Sequence, residues 1–210
     1  SLQQVDFNQI DAVINLAGEP IVGKRWSHAQ KRRLCESRWT ITEQLVGAIK
    51  AASSPPSVMV SGSAIGIYGR QQATLIGEDF THYHAEFTHQ LCQRWEQIAL
   101  QASSERTRVC LLRTGIVLAA NGGALKKMYL PFKLGLGGPV ASGEQYMSWV
   151  HINDVLRIID FLLLQPTLSG VFNVTAPTPV TNAEFSRSLA KTLHRPAILP
   201  MPAFVLQLML

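Results

Sequence analysis

The segment Asp11-Ala-Val-Ile-Asn-Leu-Ala-Gly18 carries an apolar run with no polar alternation beyond Asn15. A strand patterned this way suits burial on both faces, as in a parallel sheet. Two more such runs follow, Val58 to Ser61 and Arg108-Val-Cys-Leu-Leu-Arg113. Between them the period changes to that of a helix. Leu34, Ile41, Leu45 and Ile49 share one face of a segment from Ser27 to Ala52, and Phe87, Leu91, Trp95, Ile98 and Ala102 form a stripe over 86–103. Ser27-His-Ala-Gln30 reads as a capping box, and Ser53-Ser-Pro-Pro56 ends the first helix. The order strand, helix, strand, helix, strand predicts βαβ units and an α/β fold with a parallel sheet.

The pattern changes after Leu118. Glycines crowd residues 122–143 and little periodicity survives, so a short helix (Gly123 to Leu130) followed by loops and short strands is expected. Asn153 or Asp154 is expected to cap a helix reaching about Leu164. Val171 to Val174 reads as a strand. Thr181-Asn-Ala-Glu184 is a second capping box, opening a helix with Phe185, Leu189 and Leu193 on one side. This divides the chain into a core, 1–118 with 150–176, and a smaller lobe, 119–149 with 177–210.

Composition narrows the class. Apolar residues are 47% and charged residues 16% of 210, a globular balance able to support a sizeable core. The net charge of +5 is scattered, and its densest cluster, Lys31-Arg32-Arg33, is a solvated helix face, so no nucleic-acid partner is expected. The bias suits an anionic small ligand equally well. No run reaches the roughly 18 apolar residues of a membrane span. Three dispersed cysteines, without a CxxC pair, give neither a disulfide framework nor a zinc site and fit a reducing, cytoplasmic setting. The first residue is Ser1 and the last seven, Phe204 to Leu210, are apolar except Gln207, so the chain is expected to be part of a longer protein.

In open parallel sheets ligands bind beyond the carboxyl ends of the strands. Those ends are Leu16-Ala17-Gly18-Glu19 after Asn15, Ser61-Gly62-Ser63, and Arg113-Thr114-Gly115. Their small residues let a ligand approach the backbone. Arg113 is either a contact for a phosphate or carboxylate or half of a structural ion pair. Lys24 and Arg25, in the loop after Glu19, either meet an anionic ligand or are solvated. Lys126 and Lys127 border the lobe, and His151 orders a turn or reaches substrate.

The phrases NLAGE, SGSAIGIYG, LRTGIVL and MSWVHINDV occur in this order, and with GKRW, SRWTITEQL, NGGALKKM, FKLGLGGP and VTNAEF they cover nearly the whole chain. Together they resemble the epimerase-like (YfcH-type) family of the extended short-chain dehydrogenase/reductase superfamily. The resemblance implies a Rossmann-like NAD(P)-binding core with a smaller substrate lobe, an inclination to NADP with NAD also open, and pairing of two copies through the helices at 27–52 and 86–103. It also implies a Gly-rich first βαβ unit, which these residues lack, so the nucleotide half is expected to be partial.

The superfamily places a substrate-binding serine after the second of these strands, and Ser63 matches it. It also carries YxxxK on the next helix, the tyrosine as acid/base and the lysine lowering its pKa. Here those positions fall on Thr88 and Cys92. Tyr68, Tyr83 and His89 are the nearby substitutes, Tyr68 being the best placed; the plain alternatives are a packing aromatic for Tyr68 and an exposed helix residue for His89. Two functions follow: an NADP-dependent epimerase or oxidoreductase with a non-standard active site, acting on a small polar or nucleotide-linked substrate, or an NADP(H)-binding sensor without turnover.

Overall fold

The computed structural model describes residues 2–197. The expected apolar terminus Phe204 to Leu210 lies outside them. A four-stranded parallel sheet forms the centre, in the order β1-β2-β3-β7. The elements are β1 (Ala12–Asn15), α1 (His28–Ala51), β2 (Val58–Ala64), α2 (Phe87–Leu100), β3 (Arg108–Thr114), β4 (Ile116–Ala119), α3 (Gly123–Lys133), β5 (Tyr146–Met147), β6 (Trp149–His151), α4 (Ile152–Leu164), β7 (Gly170–Val174), β8 (Val180–Thr181) and α5 (Asn182–Thr192). Two small pairs, β4 with β6 and β5 with β8, stand beside the sheet.

The continuous apolar runs are explained by cover on both faces. Met59, Val109 and Leu111 pack under α1 and α2 with Leu45, Val46, Ile49 and Ile98. Val58, Val60, Cys110 and Leu112 point the other way, against Val155, Ile159 and Leu162 of α4. Each fully buried aliphatic contributes about 1.5–3 kcal/mol to folding. The first run departs from the expectation. Val13 and Asn15 are buried, but Ile14 is 47% and Leu16 55% exposed. On the α4 face the second cluster includes Ala12 but not Ile14, so cover on that face of β1 stops at Ala12.

Several boundaries also shift. The strand expected to stop at Ser61 continues to Ala64, because Ser61, Gly62 and Ser63 pair with Leu111, Leu112 and Arg113 of β3. The turn that follows is a 3-10 segment, Ile65–Ile67. Gly62 is not there for a turn: a Cβ would stand 2.8 Å from Trp95 Cη2. The first capping box is only half built, Ser27 accepting from the Gln30 amide, whereas at α5 both halves are present. The cap of α4 is neither Asn153 nor Asp154. His151 takes that place, its Nδ1 accepting from the Asn153 N–H at 3.2 Å. That agrees with the turn-ordering role open to this histidine. In α5, Asn182, Ser186 and Ala190 are buried, while Phe185, Leu189 and Leu193 are only partly covered. Helix α3 runs one turn further than expected and ends near Pro131, which cannot donate to the helical ladder.

Candidate active site

Strands β1, β2, β3 and β7 end at one edge of the sheet, and the candidate residues gather there. At the end of β1, Asn15 is buried. Its amide donates to Thr42 Oγ1 at 2.9 Å, and its carbonyl oxygen accepts from the Ala17 N–H at 3.3 Å. That fixes the bend after which Leu16, Ala17 and Gly18 are exposed. Glu19 is half-buried and pairs with Lys24 at 2.5 Å. That ammonium holds the Glu19 carboxyl below the usual carboxylate range. Arg25 is exposed in the same loop.

Beneath this loop lies Arg38, which sequence reasoning passed over. Its guanidinium donates to the carbonyls of Leu34 and Glu19, both at 3.0 Å, and stacks over Trp95 at 5.4 Å. Burial lowers its pKa. Among the described residues no carboxylate forms a salt bridge with it. A Cβ on Gly18 would stand 2.8 Å from Arg38 Cζ, so the exposed, small-residue strand end has a guanidinium beside it, with Lys24 and Arg25 in the loop that follows, which suits an anionic ligand. The ordered S-R at the start of α1's SRWTITEQL was the available signal.

The second and third strand ends meet in a buried polar network. Ser63 Oγ donates to Glu96 Oε1 at 2.5 Å. The Glu96 carboxylate accepts two parallel bonds from Arg113, from Nε and Nη2, both at 2.9 Å. Arg113 Nη1 donates to the Tyr68 hydroxyl at 3.0 Å, and that hydroxyl donates to Asn173 Oδ1 at 2.6 Å. Exposure is 5% for Ser63 and Arg113, 6% for Glu96 and 3% for Tyr68. Arg113 is therefore held in the ion pair, the structural alternative. Burial by itself would lower its pKa, but the hydrogen bonds it donates to Glu96 and Tyr68 hold it above the ordinary arginine range. Burial raises the Tyr68 pKa, opposed by Arg113, so the phenol stays protonated.

The remaining candidates separate into packing and contact. Ser61 is fully buried within β2, its hydroxyl near the Gly62 carbonyl at 3.4 Å. Thr114 Oγ1 donates to the Leu112 carbonyl at 3.3 Å. Gly115 has no room for a side chain, because a Cβ would run into the Ser148 carbonyl oxygen. His89 corrects the expectation of an exposed residue. It is buried, Nδ1–H donating to the Ile67 carbonyl at 2.5 Å, with Tyr83 stacked on it at 5.0 Å. Cys92, in the lysine position, is buried, and burial followed by the Glu96 charge pushes its thiol up to about 11. Lys126 and Lys127 are exposed on α3.

Beside the network opens a cleft of about 1270 Å³, walled by residues 69–78, 142–148 and 173–183, with Tyr68 and Asn173 among its lining residues. Gln72, Thr74, Tyr146, Ser148 and Thr175 also line it. Sequence reasoning missed these. Applied to Val171–Val174, the strand-end rule would have found Thr175; the lobe residues had no comparable signal. No group of His, Cys, Asp and Glu side chains among the described residues is arranged to hold a metal ion. No helix there is long and apolar enough to cross a membrane.

The profile of the NAD dependent epimerase/dehydratase family matches residues 2–175. The chain belongs to that family. It is 40% identical over 197 residues to epimerase family protein Mb2239 of Mycobacterium bovis, covering 94% of this chain and 64% of the relative. The chain therefore spans just under two thirds of that relative's length. The crystal structure of human epimerase family protein SDR39U1 (isoform 2) with NADPH superimposes with a TM-score of 0.89 at 35% identity, covering 99% of this chain and 71% of the human one. A nucleoside-diphosphate sugar epimerase from Corynebacterium glutamicum matches with a TM-score of 0.77 at 28% identity, covering 95% of this chain and 40% of its own. The fold expected from the alternating pattern is thus found in solved relatives, and the resemblance drawn from the motifs holds.

Proposed function

We propose that this protein binds NADP(H) along the carboxyl ends of β1, β2 and β3 and acts as an oxidoreductase or epimerase on a small polar molecule in the adjoining cleft. The observation that carries the reading is the exposed Leu16–Gly18 strand end with the Arg38 guanidinium against Gly18 and Arg25 in the loop that follows, in a fold that a relative uses with NADPH. When bound, the cofactor supplies a hydride donor or acceptor. Arg25 and Arg38 offer positive charge on its side of the edge. The Ser63–Glu96–Arg113–Tyr68–Asn173 network fixes the floor between cofactor and cleft.

A second reading, NADP(H) binding without turnover, draws on the same network. Both hydroxyls named as acid/base candidates donate inward, Ser63 to Glu96 and Tyr68 to Asn173. Neither proton points to a substrate in this arrangement. Titrating the full-length protein with NADPH and NADP⁺, followed by fluorescence, tests both readings. Saturable binding supports the cofactor assignment, and absence of binding refutes it. Substrate-dependent oxidation of bound NADPH, lost in Tyr68→Phe, separates the enzyme from the sensor.

A further inference from the structure

The charges at the edge of the sheet are sorted. After β1 come Lys24 and Arg25 in the loop and Arg38 against Gly18, with one carboxylate, Glu19, which pairs with Lys24. The cleft on the other side is lined by two carboxylates, Glu78 and Glu144, against one guanidinium, Arg70. That guanidinium is exposed, and its Nε pairs with Glu86 at 2.5 Å, which offsets its charge. Arg113, behind Tyr68, is neutralised by Glu96. One oxygen of Glu78 accepts the Asn173 N–H at 2.8 Å, while Glu144 is exposed on the opposite wall.

The other polar side chains lining the cleft, Gln72, Thr74, Tyr146, Ser148 and Thr175 among them, are neutral. The wall is also braced. Gln71 Nε2 donates to the carbonyls of Tyr68 at 2.7 Å and His82 at 2.8 Å, holding the 69–78 loop in shape. A phosphate entering such a wall meets two carboxylates, Glu78 and Glu144, against one exposed guanidinium whose charge Glu86 offsets, so the balance of charge repels it.

From this we infer that the cleft takes a substrate without phosphate, an uncharged or amine-bearing alcohol or carbonyl compound, and that Glu144 sets that preference. The inference rests on reading this cleft as the substrate side of an NADP(H)-binding protein. It departs from a nucleoside-diphosphate sugar, the molecule named for the Corynebacterium relative.

The test uses the full-length protein saturated with NADPH and four probes sharing one ring: glucose, glucosamine, glucose 6-phosphate and UDP-glucose. Cofactor binding is measured first. If NADPH does not bind, the functional reading fails, independently of the charge of the cleft. Probe binding is then followed by saturation-transfer NMR. Glucose or glucosamine is expected to bind at least about tenfold more tightly than either phosphate-bearing probe. Glu144→Lys, an exposed substitution, is expected to raise glucose 6-phosphate affinity by about tenfold and leave NADPH affinity unchanged. The inference is overturned by tighter binding of glucose 6-phosphate or UDP-glucose, by binding of no probe, or by a Glu144→Lys variant that leaves the probe order as it was.

Discussion

The buried pair between Glu96 and Arg113 makes a sharp prediction. The two side chains are 8% and 6% exposed, and the carboxylate accepts three bonds, one from Ser63 and two from Arg113. Glu96→Gln keeps the shape but removes the charge. Its amide NH₂ must then face a guanidinium or hydroxyl donor, and Arg113 is left buried without a counter-ion. Removing one partner of a buried pair costs about 3–5 kcal/mol. Arg113→Met leaves the carboxylate unpaired and is expected to cost a similar amount. The double variant Glu96→Leu with Arg113→Met strands neither charge. It is therefore expected to lose less than the sum of the single variants, with a coupling of about 2 kcal/mol. Urea unfolding followed by tryptophan fluorescence, with an unchanged slope against denaturant, measures all three. A loss below about 1 kcal/mol for Glu96→Gln, the range of a solvent-exposed pair, would show that water reaches the network and refute the reasoning.

Other perturbations probe single contacts. Gly62→Ala drives a Cβ to 2.8 Å from the Trp95 ring, and overpacking of that kind is expected to cost about 1–3 kcal/mol in thermal or urea unfolding. Tyr68→Phe deprives Arg113 Nη1 and Asn173 Oδ1 of a partner, an expected loss of about 1–3 kcal/mol, with NADPH affinity unchanged in a titration. The Cys92 thiol rises from an ordinary 9.0 to about 11, so its contribution to stability is full below pH 9 and is lost as pH rises towards 11. Cys92→Ala is expected to flatten the fall in unfolding midpoint between pH 8 and 10.5. Thr181→Ala removes the cap of α5, with an expected loss of about 1 kcal/mol by urea unfolding. Glu184, held low by the Thr181 N–H, contributes above pH 4.5 and loses that contribution as pH falls below it, so Glu184→Gln is expected to flatten the acid limb.

Periodicity and strand ends carried the reading of the sequence. Met59 with Val58 and Val60, and Leu111 with Cys110 and Leu112, declared themselves by apolar character on both faces. Alternation of such runs with the stripes of α1 and α2 was enough for a parallel sheet, because cover on both sides is the arrangement that buries both. Thr181 and Glu184 were legible as a cap because that interaction is local, three residues apart. Local pattern could not show that Ser61 to Ser63 belong to β2, since the ladder to β3 is set by residues some fifty positions further along. Nor could it show the exposed flank of β1, which depends on where α4 ends its cover.

The sequence by itself determined the alternating α/β order, the family motifs and the strand ends where a ligand would sit. Tertiary structure alone decided what the polar residues at those ends do. Ser63 with Tyr68, then Glu96, Arg113 and Asn173, come from four separate stretches of chain, and burial together turned two candidate acid/base groups and a candidate phosphate ligand into one hydrogen-bonded network. Folding also set Arg38 against the β1 end and put Glu78 and Glu144 in the wall of the cleft. Charge sorting of this kind depends on distances in space, which spacing along a chain does not encode.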